Sequence, residues 1–517
     1  MKKLAIFALV IIVIASVFVG CTESYSAKAI PGPTQFAASD ISSNGGLAIK
    51  AVSDGKSYLY YINGYAEQSG ENVFGNAVKG SIVRAELDAD GHVKYPADVE
   101  IIVPKNVYAP TSVSGSTTAS GSSKSVTNKA AGVYTDGKYL YYTSPSTKKN
   151  SDGDYKTTEM MLMRTALNGT DTDQIAYFTH YNVLYTVYNG SLVYFDASAK
   201  ELHRVNLSNM KDSKLDESVT SVVFADYSGS ALDNLFFYTK ASDDEENPDY
   251  SVIYRASVDG SVESAKYLSG IDNEALRKEQ IEETAVDKGF KYSLIDLKVV
   301  DGKAILIIDK TDSGSSALSQ GLYTIEVTAD SVYSTSDEIR LSTNAKSGND
   351  DAYSAFRFIG SSVVIANTSS ASYLLNKTSD GWKKVQRDNS DSYKLISSAV
   401  TVLDVKEEDG VQVIYFLTSA GKVQKMRAFT LSGGVASAYN GSLPVVDVIT
   451  SLSVATSSFK AEYIDGNLYY INSNVQNYTY AYYFDTLTAD APVYNQEDAQ
   501  NRFISIATDA DMASILA

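Results

Sequence analysis

The chain nearly lacks cysteine: Cys21 is the only one in 517 residues. No disulfide can form within it, so burial and strand pairing carry the stability. It has one tryptophan, Trp382, nine prolines and three histidines. His92, His180 and His203 lie apart, and none belongs to an HExxH or similar metal spacing. No P-loop, dinucleotide fingerprint or G-x-S-x-G elbow occurs. Asn150–Asp154 resembles a calcium loop only faintly, with the glycine misplaced, and Asp243–Glu246 reads as a solvated acidic loop. The sequence therefore assigns no catalytic residue, no metal ligand and no cofactor. Net positive charge is absent too. The formal charge is −18, which repels phosphate backbones and anionic headgroups and excludes nucleic acid as a partner.

What is present begins with an export signal. Lys2 and Lys3 precede an apolar run, Leu4 to Val19, interrupted only by Ser16. Phe18-Val19-Gly20-Cys21 follows. Small Gly20 before a cysteine resembles the bacterial lipobox, which usually has Leu where Phe18 stands. The resemblance implies cleavage between Gly20 and Cys21, and acylation of Cys21 by fatty chains such as palmitate. The competing readings are an ordinary signal peptide or a short membrane anchor. The run is slightly short of the roughly 20 residues that span a bilayer. Residues 1–20 are thus expected to be a lipoprotein signal peptide, 21–33 a flexible tether, and 34–517 one folded domain. Loss of Lys2 and Lys3 takes the charge from −18 to −20.

The domain repeats itself. An apolar strand, a tight turn and an aromatic strand recur eight times, as AGVYTDGKYLYYT at 131–143 and AEYIDGNLYYIN at 461–472. The turns begin near residues 54, 136, 189, 229, 301, 360, 409 and 465. Asp-Gly and Asn-Gly between such runs signal hairpins, because glycine reaches positive φ freely and Asp or Asn tolerates it. A later strand often carries a basic residue, as in SIVRAEL at 81–87, MLMRTALNG at 161–169, LHRVNL at 202–207, VIYRASVDG at 252–260 and VQKMRAFTL at 423–431. A fourth short strand often follows. The doublets Tyr60-Tyr61, Tyr141-Tyr142, Phe236-Phe237, Tyr415-Phe416 and Tyr469-Tyr470 break the alternation of a half-wet strand. They predict strands covered on both faces, with the rings as core rather than as a sugar-stacking platform. The expected fold is all-β, a β-propeller of eight four-stranded blades, or alternatively seven.

The pairing of an L-Y-Y-x strand with a later I-Y-R-x-x-x-D-G strand resembles the YWTD-type propellers, and among them bacterial propeller lipoproteins without an assigned function. The tryptophan of that box is absent; Tyr141-Tyr142-Thr143 and Tyr469-Tyr470-Ile471 stand in its place. Two stretches interrupt the pattern. Residues 111–128 are Ser/Thr/Gly-rich and read as a mobile rim loop. Residues 272–288 read as one short helical insertion capped by Asp272.

These features predict a membrane-anchored, extracytoplasmic binding or scaffolding module, on the outer membrane if the cell has one. Its partners would be the lipid bilayer, through acylated Cys21, and an unknown protein or glycan that is neutral or basic. The alternatives are a carbohydrate-active enzyme on a propeller, or a subunit of an envelope assembly complex. Recognition is expected on loops 111–128, 144–157, 243–249 and 272–288, or at the channel mouth. Ring closure is expected from residues 34–40 or 502–507.

Overall fold

The computed structural model describes residues 24–26, 29–62, 81–89, 100–103, 107, 112–119, 122–129, 132–145, 151–152, 159–180, 183–241, 251–269, 290–312, 321–328, 337–343, 353–387, 393–420, 422–439, 445–449, 461–464, 467–470 and 505–507. Among them the chain builds seven antiparallel sheets, each with a core of four sequential strands, and an eighth of three. This is a β-propeller. Blade 1 runs Ala48–Ser53, Lys56–Ile62, Ile82–Glu86, Glu100–Val103. Blade 2 runs Tyr134–Thr135, Tyr139–Pro145, Met160–Ala166, Asp171–Phe178. Blade 3 runs Val183–Tyr188, Ser191–Asp196, Glu201–Asn206, Lys211–Asp216. Blade 4 runs Val219–Phe224, Leu235–Ala241, Ser251–Ser257, Ala265–Ser269. Blade 5 runs Phe290–Val300, Lys303–Asp312, Gly321–Val327, Glu338–Thr343. Blades 6 and 7 open at Ala355–Phe358 and Thr401–Glu408, and each adds a fifth strand, Lys394–Ile396 and Val446–Ile449. Ala461–Ile464, Asn467–Tyr470 and Ser505–Ala507 form the last sheet.

The turn chemistry explains the hairpins. Asp54-Gly55, Asn189-Gly190, Asp301-Gly302 and Asp409-Gly410 all have positive φ at both positions, the backbone that joins two twisted strands most tightly. Four of the five doublets are core, as expected, and the side chains of Tyr469-Tyr470 lie outside the described residues. Tyr60, Tyr61, Tyr141, Tyr142, Phe236, Phe237, Tyr415 and Phe416 are all buried. Cores form between blades rather than within them. One cluster joins Tyr60 and Ile82 of blade 1 to Tyr142 and Met163 of blade 2. The next joins Tyr141 and Leu162 to Tyr185 and Val205, and the pattern continues to blade 7. Each buried ring contributes roughly 1.5–3 kcal/mol, so the stack is held by its interfaces.

Several expectations change. The Ser/Thr/Gly stretch is no plain loop: Ser112–Ala119 pairs antiparallel with Ser122–Lys129, from Ser112 opposite Lys129 to Ala119 opposite Ser122. Ser and Thr side chains do not prevent backbone pairing, although they give it little to bury. Part of the stretch expected as tether is engaged. Ser24–Ser26 adds a fifth strand to blade 2, with Ser24 opposite Asp173 and Ser26 opposite Asp171. Ile30 N–H donates to Asn168 C=O at 2.9 Å. Residues 34–40 supply no closing strand. Phe36 N–H donates to Gly137 C=O at 2.7 Å, and its ring is buried in the core of blades 1 and 2. At the other end, Ser505–Ala507 pairs with Asn467–Tyr470. The helical insertion at 272–288 lies outside the described residues.

Candidate functional site

The inner strands of blades 2 to 5, with the stretch that precedes blade 1, surround a cavity of about 230 Å³. Its wall comes from Asn44–Leu47, Tyr134, Leu184, Thr186, Val187, Val222–Tyr227, Asp233 and the Ile295-Asp296 pair. The stretch before blade 1 folds back along that blade's inner strand. Ile41 bridges Ala51, Ser42 N–H donates to Lys50 C=O at 2.8 Å, and the Ser43 hydroxyl donates to Ala48 C=O at 3.0 Å. Asn44 then acts as a substitute strand partner. Its amide nitrogen donates to Thr135 C=O at 2.8 Å and its amide oxygen accepts from Thr135 N–H at 2.7 Å. From the far side, the Tyr227 hydroxyl donates to Ile41 C=O at 3.0 Å. That bond ties blade 4 to the lining of blade 1.

The electrostatics are acidic, with one lysine paired to two of the three acids. Lys298 lies 2.9 Å from Asp226 and 2.6 Å from Asp296. Burial works against its charge, yet the two carboxylates hold its pKa above the ordinary lysine value. Asp233 is the third acid. Burial pushes its pKa up, against hydrogen bonds from the Ser228 and Gly229 amides at 2.9 and 2.8 Å. Burial also pushes the Tyr227 phenol up to about 12, with Asp233 adding to the rise. Tyr134 is raised for the same reason and stacks at a tilt on Tyr185, ring centres 5.2 Å apart. At neutral pH these tyrosines are donors and acceptors without charge. The wall thus offers phenols, backbone groups of 44–47 and a surplus of negative charge.

Residues singled out in the sequence fall elsewhere. Gly20, Cys21 and His92 lie outside the described residues, as do 243–249. His180 and His203 do come near one row of rings. Phe178 lies 6.0 Å from His180 and 5.4 Å from Tyr194, and Tyr194 stacks on His203 at 4.7 Å. Each histidine keeps its own carboxylates: Asp196 for His180, and Glu201 with Asp212 for His203. Among the described residues no group of three His, Cys, Asp or Glu could hold a metal ion. Asn168-Gly169-Thr170 is a turn, with the Asn168 side chain accepting from the Thr170 hydroxyl at 2.8 Å. The cavity residues have no motif, and only the Asp-rich ends of the inner strands could have hinted at them.

The recurring third-strand arginine does have a role. In blades 1 to 4 the register slips just before it, because one extra residue (Ile102, Ile175, Leu215 or Tyr267) bulges the fourth strand alongside, which bends that strand and increases its local twist. Arg164 donates to Leu207 C=O of blade 3 at 2.8 Å. Arg204 donates to Ser257 and Val258 C=O of blade 4 at 2.8 and 2.9 Å. Arg255 reaches Thr328 C=O of blade 5 at 3.4 Å. Each of these three arginines fastens its blade to the end of the next blade's third strand.

No family model and no curated protein matches the chain. Solved structures similar to it include a β-propeller domain. AztD of Citrobacter koseri is 12% identical, with 78% of this chain and 93% of that one covered at a TM-score of 0.35. The β-propeller domain of the Trilobed protease from Pyrococcus furiosus is 8% identical, covering 78% and 92% at 0.33. The N-terminal domain of Nup159 is 10% identical, covering 87% and 91% at 0.29. The propeller assignment rests on the strand order and the shared inter-blade cores.

Proposed function

We propose that this chain is a lipid-anchored, extracytoplasmic binding module whose recognition site is the inner cavity of the propeller. The observation that carries the reading is the cavity itself: about 230 Å³, walled by blades 2 to 5 and by the 44–47 stretch. The strands of a propeller spend their side chains on inter-blade cores, so the space among the inner strands is where a small ligand finds concave surface. Three acids, Asp226, Asp233 and Asp296, line it, and one lysine, Lys298, pairs with two of them, Asp226 and Asp296. That surplus selects a neutral or cationic ligand, such as a sugar or an amine, over an anion. The anchor is Cys21, and the lipobox-like Gly20-Cys21 step supports it. The likeness to YWTD-type lipoproteins supports the same placement.

The test is a thermal-shift screen of the mature domain against short glycans, polyamines and dicarboxylates. Stabilisation by a glycan or an amine, lost in the cavity-filling variant Val187→Phe, supports the reading. Stabilisation by dicarboxylates alone, or a shift unaffected by Val187→Phe, contradicts it.

A further inference from the structure

The N-terminal strand fixes how the propeller would sit on a membrane. Ser24–Ser26 is hydrogen-bonded along the outermost strand of blade 2, Asp171–Phe178. Three residue steps separate Ser24 from Cys21. A fully extended chain covers about 3.4 Å per residue, so Cys21 lies within about 10 Å of that strand. We infer that the outer rim of blade 2 is the membrane-facing edge of the molecule, held against the lipid headgroups by this short link. The inference rests on the acylation of Cys21 proposed above.

The partner is the lipid surface, and geometry rather than charge brings the two together. Asp171 is exposed on that strand, and Asp173 is paired with Arg164 at 2.9 Å. A rim of this kind gains nothing from anionic headgroups, whose field reaches about 8 Å at physiological salt. Released from its short link, it would drift away. The link also sets the attitude of the ring. With an outer edge downward, the propeller axis lies along the membrane plane and both channel mouths open sideways. The cavity of about 230 Å³ is then open to solutes of the extracytoplasmic space rather than pressed on the bilayer. Blade 6 points outward, across the ring. Eight strand spacings of about 4.8 Å put its rim on the order of 40 Å above the headgroups.

The full-length lipoprotein provides the test. Cys21 is the sole cysteine and its thiol is consumed by the anchor, so an introduced cysteine is labelled alone. Asp171→Cys marks the rim of blade 2 and Lys383→Cys, exposed on blade 6, marks the opposite rim. Each carries a donor dye on phosphatidylcholine vesicles containing a headgroup-labelled acceptor. Energy transfer several-fold stronger at Asp171→Cys is expected, and Lys211→Cys on the neighbouring blade should read between the two. Lys211→Cys replaces the first probe should Asp171→Cys fail to fold. A twenty-residue Gly-Ser insert between Thr22 and Glu23 should keep the protein on the vesicles and level the two signals. Equal transfer with the short link, or a difference that survives the insert, overturns the inference. Failure of the folded lipoprotein to float with vesicles overturns the anchor itself, a separate and distinguishable result.

Discussion

The seam between blades 3 and 4 and the seam between blades 1 and 2 begin alike and end differently. Both start from a third-strand arginine beside a bulge in the fourth strand, Arg204 and Arg84. Arg204 crosses to the carbonyls of Ser257 and Val258 on the next blade. Arg84 does not cross. It bonds Pro31 C=O, Glu100 and the Tyr60 hydroxyl, and Tyr60 in turn reaches Leu167 C=O of blade 2 at 3.3 Å. The N-terminal stretch fills the slot that the next blade's carbonyl takes elsewhere, and Ile30 packs on the same core. Even the glycine beside the guanidinium is replaced. Gly260 of the Asp-Gly turn touches Arg204, whereas Gly32 touches Arg84. The lesson is that one sequence signal, a third-strand arginine, serves as a blade-to-blade latch by default and as a clasp for the N-terminal stretch in blade 1.

The largest effect should separate the two seams. Arg84 is buried, at 1% exposure, and its removal leaves Glu100 and Pro31 C=O without their donor. Arg84→Leu should cost about 3 kcal/mol in urea unfolding and should speed hydrogen exchange at the Ile30 amide. Arg204→Leu removes two bonds to carbonyls from a partly exposed site and should cost about 1–2 kcal/mol, with Ile30 unchanged. Equal costs, or Ile30 exchange that responds to Arg204→Leu, would erase the distinction.

The glycines sharpen it. Gly32 has φ +139°, and a Cβ there would come within 2.7 and 2.8 Å of the Arg84 Cζ and Nη1. Gly260 has φ +81°, and a Cβ would come within 2.8 Å of Arg204 Nη1. Either change to alanine strains the backbone by about 1–3 kcal/mol. Gly32→Ala should lie at the upper end because Arg84 is held on every side. Melting curves of the two variants decide the order.

A weaker latch joins blades 5 and 6, where Trp382 Nε1–H donates to the Thr324 hydroxyl at 2.8 Å. Trp382→Phe keeps the ring and loses the bond, and should cost about 1 kcal/mol. A cost of several kcal/mol would mean that the indole packs in a way the hydrogen bond does not explain.

Much of this was legible in the sequence because it is local. A turn that needs positive φ shows itself as Asp-Gly or Asn-Gly, and a strand buried on both faces shows itself as an aromatic doublet. Tyr60-Tyr61 and Asp54-Gly55 each reveal their structure within a few residues. The recurring arginine was visible too, but not its target, because the acceptor is a backbone carbonyl that any sequence supplies. The cavity was illegible for a related reason. Asn44, Tyr134, Thr186 and Asp226 meet only after successive blades stack, and no spacing records that meeting. The pairing of 112–119 with 122–129 was missed because Ser, Thr and Gly carry no apolar period.

The smallest effect lies at the rim of blade 3. The Asp212 hydrogen bond raises the His203 pKa against partial burial, with Glu201 adding to the rise. A folded-state pKa above the unfolded one means the contribution is full below about pH 6.5. It fades as pH rises through the raised value. Hydrogen exchange in 201–216 should therefore be slower at pH 6 than at pH 8 after correction for intrinsic rates, and His203→Gln should flatten the difference. An unchanged pH dependence in that variant would remove His203 from the account.

The central claim is that the inner cavity, rather than the outer loops, receives the ligand. Native mass spectrometry of the lipoprotein extracted from membranes without denaturation tests it most directly, comparing wild type with Val187→Phe. The account predicts a bound neutral or cationic small molecule on the wild type and none on the variant. An anionic ligand, or the same bound mass on both proteins, would contradict it.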